Sequence, residues 1–313
     1  MDEHLPAIGI DFGGTTVKAG VVMGRRVVQA APAIVTQDFE GPDTLVAAMA
    51  DSIGTLRADF PDVAAVGVGM PGFVDYEQGI VRNLTNVRGW KEIPLRTWLA
   101  EKCGLPVVVD NDANCMAYAE WKLGAGRGFR HLVCITLGTG VGGGVIVNGS
   151  LLHGSRFGAG EIGQMSIDYQ GRIGHYENHG ALEDYIGNNE ITERAMTAYA
   201  AAGVAKSRDA CTPEALAKAA EQNDAVALAI WKETARMLAT AIMNCCWLLN
   251  PEAIVIGGGV ARAGGLLLSP LKDYLLSQLY GPFRDHLEIL PAAFSHEAGT
   301  IGAAAMALDA VRE

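Results

Sequence analysis

The chain alternates short, almost wholly apolar runs with longer segments in which apolar residues return every three or four positions. Runs with no polar alternation predict strands covered on both faces, and the longer segments predict helices with one buried stripe. Strands are expected at Ile8–Asp11, Val17–Met23, Val27–Ala31, Ala65–Gly69, Val107–Asp110, Leu132–Leu137, Val145–Asn148, Ala253–Ile256 and Leu287–Leu290. Helices are expected at Thr44–Ala58, Leu95–Lys102, Ala113–Leu123, Leu182–Tyr199, Pro213–Ala220, Ala225–Leu249, Leu266–Leu279 and Thr300–Val311. Pro213 opens one helix and Pro251 follows another, the two places where proline costs least. Alternation of this kind predicts an α/β fold.

Two of the apolar runs end alike. Ala7-Ile8-Gly9-Ile10 leads into Asp11-Phe12-Gly13-Gly14-Thr15-Thr16, and Leu132–Leu137 leads into Gly138-Thr139-Gly140-Val141-Gly142-Gly143-Gly144. Glycine lets backbone N–H groups close on an oxyanion with no Cβ in the way, and threonine adds a hydroxyl donor. The pair predicts two phosphate cradles facing each other across a cleft, in a duplicated α/β unit. The division is expected near residues 111–115, giving an N-terminal lobe of residues 1–112, completed by a helix over 299–313, and a C-terminal lobe of residues 113–298. Hinges are expected at Asn111–Cys115 and Ala298–Gly302, with closure of the lobes on ligand.

Between the cradles lies Val108-Val109-Asp110-Asn111-Asp112-Ala113-Asn114, where a buried strand meets a helix. One polar residue suffices for an N-cap. Four in five positions leave room for a second role, with Asp112 as a general base that takes a hydroxyl proton while the oxygen attacks phosphorus. Gly138–Gly143 also fits the dinucleotide pattern GxGxxG, but that turn must open into a helix, and Gly144–Gly149 reads as strand and turn. A nicotinamide site is therefore rejected. Ile256-Gly257-Gly258-Gly259 is either a tight strand-to-helix turn or a flat surface for adenine or ribose. Glu161 and Glu183 stand beside glycines and are read as acceptors for ligand hydroxyls. His175, His179 and Glu183 have a helical metal-ligand spacing, yet Gly171, Gly174 and Gly180 interrupt any helix there, so no histidine-built metal site is expected.

Bulk composition narrows the classes. The chain has 313 residues, half of them hydrophobic, with a net charge of −11 and no basic run. Binding to nucleic acid or an anionic membrane through bulk electrostatics is disfavoured. The six cysteines form no CxxC pair and read as buried thiols. Met1-Asp2-Glu3-His4 is acidic where a secretory leader is basic, and the longest apolar stretch, Met237–Leu249, is too short to span a bilayer. A cytoplasmic protein is expected.

The motifs together resemble the ROK family of bacterial sugar kinases, close to its ATP-dependent glucokinases. DFGGTTVKAG at Asp11–Gly20 looks like the family's first phosphate motif. MPGFVD at Met70–Asp75 and NVRGW at Asn86–Trp90 are similar to its PGxVD and NLxGW segments. DNDAN at Asp110–Asn114, LGTGVGGGVIVNG at Leu137–Gly149, GAGEIG at Gly158–Gly163 and NPEAIVIGGGVA at Asn250–Ala261 complete seven motifs in order. The resemblance implies a two-lobed actin/hexokinase-like (duplicated ribonuclease H-like) fold with a central ligand cleft, the last helix packing back on the N-terminal lobe. It implies ATP-dependent phosphorylation of a hexose, with glucose to glucose 6-phosphate leading. N-acetylmannosamine, N-acetylglucosamine, mannose, allose and fructose are the alternative acceptors. Asp112 takes the base position, and Gly72, Asn86, Asn111, Glu161, Gln164 and Glu183 take sugar positions. Asp11, Gly13, Gly14, Thr15, Thr16 and Lys18, with Gly138, Thr139, Gly140, Gly257, Gly258 and Gly259, take nucleotide positions. Mg²⁺ is implied next to Asp11 through water, and a homodimer is implied as the assembly.

One departure is large. The family usually carries a structural zinc held by a histidine and a CxCGxxGCxE segment. Here the histidine position is Gln164 and the cysteine positions are Gly174, Tyr176 and Ala181, while Gly180 and Glu183 remain. No zinc is expected, and the loop Asp168–Gly180 is expected either to be held by packing, through Tyr176, and by hydrogen bonds, or to be mobile until sugar binds. Some relatives are sugar-responsive repressors with a DNA-binding segment before the first cradle; with ten residues before Asp11, none is expected here. A non-catalytic sugar sensor would tolerate loss of Asp112, which this chain has.

Overall fold

A computed structural model describes residues 5–84, 87–294 and 296–312, and its chain divides into two compact units. The first holds the chain up to Arg127, together with Leu151–Ala159 and the segment from His296 onward. The second holds Gly128–Ser150 and the chain from Gly160 up to that segment.

In the first unit, β1 (Ala7–Phe12), β2 (Thr16–Met23), β3 (Arg26–Ala30), β4 (Ile34–Val35), β5 (Val66–Met70) and β9 (Val107–Asn111) form one sheet in the order β3-β2-β1-β5-β9, with β4 on β2. β1 pairs antiparallel with β2 and parallel with β5, which in turn runs parallel to β9. Three short strands, β6 (Val74–Asp75), β7 (Ile80–Asn83) and β8 (Lys91–Ile93), make a separate small sheet. Helices α1 (Pro42–Asp59), α2 (Leu95–Cys103) and α3 (Asp112–Lys122) complete the N-terminal part.

The sheet of the second unit joins β10 (Leu132–Leu137), β11 (Val141–Val147), β12 (Ser150–Leu151, where the chain leaves this unit), β13 (Ala253–Gly257) and β14 (Glu288–Pro291) in the order β12-β11-β10-β13-β14. β10 is antiparallel to β11 and parallel to β13. The hairpin with parallel neighbours seen at β1–β2 therefore recurs at β10–β11, as the repeated sequence pattern implied. Helices α4 (Glu183–Ile186), α5 (Asn188–Ala201), α6 (Pro213–Glu221), α7 (Ala225–Leu249), α8 (Gly265–Gln278) and α9 (Gly281–Arg284) follow. The last helix, α10 (Ala298–Ala310), returns to the first unit.

α10 is apolar on every side and packs against β1, β5 and α3. A helix covered all round needs no amphipathic period. Its close approach depends on small residues. A side chain at Gly9 would strike the Thr300 carbonyl, one at Gly67 that of Ala303, and one at Gly302 that of Cys115.

Three expectations need correction. Gly142, Gly143 and Gly144 belong to strand β11, paired with Thr136, Ile135 and Cys134, rather than to the turn. Glycine is required there because a Cβ on Gly143 would lie 2.5 Å from the Gly160 carbonyl oxygen. The helix expected over Leu182–Tyr199 is two helices, α4 and α5, because Gly187 is extended (ψ 162°) and passes the Thr139 carbonyl. The chain leaves the first unit after Arg127 and not near residue 112, since α3 is clamped under α10. Asn111–Cys115 and Ala298–Gly302 thus both lie inside the first unit.

Candidate functional site

The turn from β9 into α3 separates the polar string into parts with different duties. Asn111 is the N-cap: its Oδ1 accepts the amides of Ala113 (2.9 Å) and Asn114 (3.2 Å), satisfying free helix donors. Its Nδ2 donates to the Gly72 carbonyl at 3.0 Å, which brings these two expected sugar positions together. Gly72 has φ 77°, a conformation that costs glycine little. Asp110, 5% exposed, accepts the Asn111 amide (2.7 Å) and Asn114 Nδ2 (2.9 Å). Its second oxygen meets His153 Nε2 at 2.7 Å. Three of the four polar residues thus build the turn, and Asp112 stands first in α3, where the helix dipole favours a carboxylate. Its Oδ1 accepts the Ala113 amide at 2.8 Å.

His153 was not expected from the sequence. It stacks on Tyr76 with ring centroids 3.6 Å apart, and Phe157 stands edge-on to Tyr76 at 5.4 Å. No local pattern announces this pairing, because His153 and Asp110 are 43 residues apart.

Asp11, next to last in β1, stands opposite Lys18 on β2 and lies against Gly299 in the first turn of α10. Burial raises its carboxyl above the usual range, and Lys18 offsets part of that rise. In the turn that follows, the Gly13 amide is already used by the Thr16 carbonyl (2.8 Å), and the Thr15 carbonyl accepts from Thr36. Gly14 and Thr15 at the tip are exposed. Asn86 lies outside the described residues.

In the second unit, the Gly138 amide donates to the Gly140 carbonyl at 2.9 Å, and the Asn188 amide at the start of α5 donates to the Gly138 carbonyl at 2.9 Å. Glu183 joins this turn to the acidic cluster: its Oε2 accepts the Val141 amide at 2.8 Å, and its Oε1 faces Gln164 Nε2 at 3.4 Å. A side chain at Gly140 would displace that carboxylate. Glu161 keeps solvent contact, yet the surrounding protein and then the Glu183 charge hold its carboxyl above the usual range. The turn at Gly138–Gly140 opens into β11, in keeping with rejection of a dinucleotide site.

The loop that follows is stitched by its backbone. The Ile167 amide donates to the Gly180 carbonyl, the Gly180 amide to that of Arg172, and the Gly174 amide to that of Asn178, each at 2.9 Å. Asn178 Nδ2 ties the loop to the Gln164 carbonyl at 2.9 Å, and Tyr185 supports Arg172 through its hydroxyl and ring. Tyr176 does not hold the loop by packing, contrary to expectation: it is 61% exposed. His179 Nδ1 bonds the Gly171 carbonyl at 3.0 Å, so its spacing from His175 serves the loop.

Gly257 closes β13, and Gly258 (φ 90°) crosses over Leu137 with no room for a side chain. Gly259 then lines a cavity of about 640 Å³, together with Asn188, Thr192, Arg208, Thr212 and Arg262. That volume lies within the ~300–1,000 Å³ of small-molecule sites. Apart from Gly259, its lining was not legible in the sequence, because α5, α6 and the chain after β13 converge there.

The ROK family model matches residues 7–310. A glucokinase of Halalkalibacterium halodurans is 35% identical over 306 residues, covering 94% of this chain and 92% of that protein. A glucokinase of Thermotoga maritima is 33% identical, covering 96% of this chain and 97% of that protein. The crystal structure of a ROK family glucokinase from Streptomyces griseus, in complex with glucose and AMPPNP, is 31% identical with a TM-score of 0.82, covering 97% of this chain and 99% of that one.

Proposed function

The chain belongs to the ROK family, and on that premise we propose that it transfers the γ-phosphate of ATP to a hexose hydroxyl, glucose to glucose 6-phosphate first among them. The fold is that of the actin/hexokinase-like sugar kinases. The observation that carries the reading is the β9–α3 turn, in which Asp110, Asn111 and Asn114 are committed to structure and Asp112 is held in the first turn of α3.

Asp112 takes the proton of the sugar hydroxyl as that oxygen forms its bond to the γ-phosphorus. The bond from the γ-phosphorus to the bridging oxygen breaks, and ADP leaves with that electron pair. This chemistry depends mainly on positioning and charge stabilisation. Glu161, Gln164 and Glu183 receive sugar hydroxyls, with Gly72 and Asn111 shaping the acceptor position; Asn86 is assigned there by family position alone. The turns Gly13–Thr16 and Gly138–Gly140, with Lys18, hold phosphates, and the cavity at Gly259, just after Gly257 and Gly258, takes the nucleoside.

Mg²⁺ fits the donor chemistry at Asp11. A carboxylate whose ionisation burial disfavours, and Lys18 only partly restores, is one that a divalent cation holds charged. Mg²⁺ would neutralise phosphate charge there, through water. We place the protein in the cytoplasm as a homodimer; its six free thiols accord with a reducing compartment. Among the described residues no helix is long and apolar enough to cross a membrane. Coupled ADP release over a panel of hexoses tests the reading: turnover with glucose supports it, and no hexose-dependent ADP release rejects it. Light scattering of the purified protein tests the dimer.

A further inference from the structure

Tyr176 occupies an unusual place. It is 61% exposed, on a turn that abuts the Asp184 carboxylate at one end and is hydrogen-bonded to Gln164 at the other. On one side, Gly174 lies so close to the Asp184 carboxylate, next to Glu183, that a side chain there would strike it. On the other, Asn178 Nδ2 holds the Gln164 carbonyl at 2.9 Å, and Gln164 Nε2 faces Glu183. The Glu177 amide closes the turn on the Gly174 carbonyl at 3.1 Å. A residue between that close contact and that hydrogen bond is kept near Glu161, Gln164 and Glu183. The His175 ring stands edge-on to Tyr176 at 5.1 Å, leaving most of the phenol ring open. A large open aromatic ring on a firmly tied turn is not explained by loop stability, which the backbone bonds already supply.

We propose that Tyr176 is a specificity-determining residue of the acceptor site, its ring forming the apolar wall beside the Glu161–Gln164–Glu183 cluster against which the carbon-bound face of a hexose packs. This rests on the sugar-kinase reading above. Carboxylates and an amide on one side satisfy hydroxyls; the ring on the other covers the C–H face, as aromatic groups do at small-molecule sites with few polar contacts. The same carboxylates, after burial, push the phenol's proton affinity up, so the ring stays uncharged next to them at neutral pH. A hexose whose hydroxyl is turned toward the ring loses water without gaining a partner, and such mismatches carry discrimination.

The test compares wild type, Tyr176→Ala, Tyr176→Phe and Ile173→Ala, the last altering another exposed residue of the same loop. The readouts are KM for glucose, KM for ATP, direct glucose binding by calorimetry, and thermal unfolding. Tyr176→Ala is expected to raise the glucose KM and Kd about tenfold, the scale of one lost aromatic contact. The ATP KM and unfolding temperature stay unchanged, and the spread of kcat/KM across a hexose panel narrows. Tyr176→Phe and Ile173→Ala retain wild-type behaviour. The wall is refuted if Tyr176→Ala leaves glucose affinity unchanged, if Tyr176→Phe loses as much as Tyr176→Ala, or if the loss comes with a lowered unfolding temperature. A wild-type protein that binds no hexose overturns the sugar-kinase reading and the wall with it. One that turns over glucose while Tyr176→Ala matches it overturns the wall alone.

Discussion

His153 Nε2 lies 2.7 Å from Asp110 Oδ2, and the other oxygen of Asp110 accepts the amide of Asn111, the residue before Asp112. Asp110 is almost fully buried, so removing its partner strands a polar group in the interior, which costs about 1–3 kcal/mol. His153→Ala is expected to lower the unfolding temperature by about 3–8 °C and to reduce kcat, while His153→Gln, which keeps a donor, loses less. Calorimetry and turnover measured on both variants check this; equal losses would mean that the stacking on Tyr76 matters and the hydrogen bond does not.

Asp112→Ala is expected to reduce kcat at least about a hundredfold, the lower range for loss of a general base. Sugar affinity changes much less, since Asn111 and Gly72 keep their contact. A variant that retains near-normal turnover would remove Asp112 from the mechanism.

Gly302→Ala places a methyl group against the Cys115 carbonyl, a rigid backbone neighbour. Overpacking of this kind costs about 1–3 kcal/mol or more, and chemical unfolding should show it. Gly54, inside α1 with nothing within 4 Å of an added Cβ, gives the opposite sign: Gly54→Ala is expected to stabilise by about 0.5–1 kcal/mol. Like effects in the two variants would contradict the packing described for α10.

Glu161 bears on pH. Its folded-state proton affinity is raised, so its contribution to stability is present at low pH and is lost as pH rises through the folded value. At neutral pH the ionised side chain is therefore a cost that glutamine removes. Glu161→Gln is expected to raise the unfolding temperature by about 1–2 °C at pH 7, with the gain fading as pH falls toward about 4, while the glucose KM rises. A gain of the same size at both pH values would exclude charge as its cause.

With glycine, tyrosine and alanine at the family's cysteine positions and glutamine at its histidine position, the loop offers no thiolate to zinc. Activity is expected to stop on chelation, to return with Mg²⁺ alone and not with Zn²⁺, and elemental analysis is expected to find no stoichiometric zinc. One tightly held zinc per chain would prove this wrong.

Much of the fold was legible where local signals agreed. α7 runs over the expected Ala225–Leu249 because Asp224 caps its first amides and Asn250, in a left-handed conformation just before Pro251, ends it. β6, β7 and β8 escaped notice because two to four residues of mixed polarity carry no period. The break at Gly187 is imposed by a distant carbonyl, that of Thr139, and glycine in β11 by the chain at Gly160. The candidate site divides in the same way. Asp112, Glu161 and Glu183 stand in recognisable strings, whereas His153, Tyr76 and the lining of the nucleoside cavity are assembled only by the fold.

The return of α10 to the first unit has a consequence for synthesis. β1 and β5 are among the earlier strands to leave the ribosome, yet the helix that covers them follows every other described element. Until α10 emerges, the faces at Gly9 and Gly67 stay open to water or to a neighbouring chain. The second unit, whose segments all precede His296, has its own sequence available earlier. In this protein the domain begun first is therefore finished second, and its apolar sheet face waits uncovered while the other unit is made.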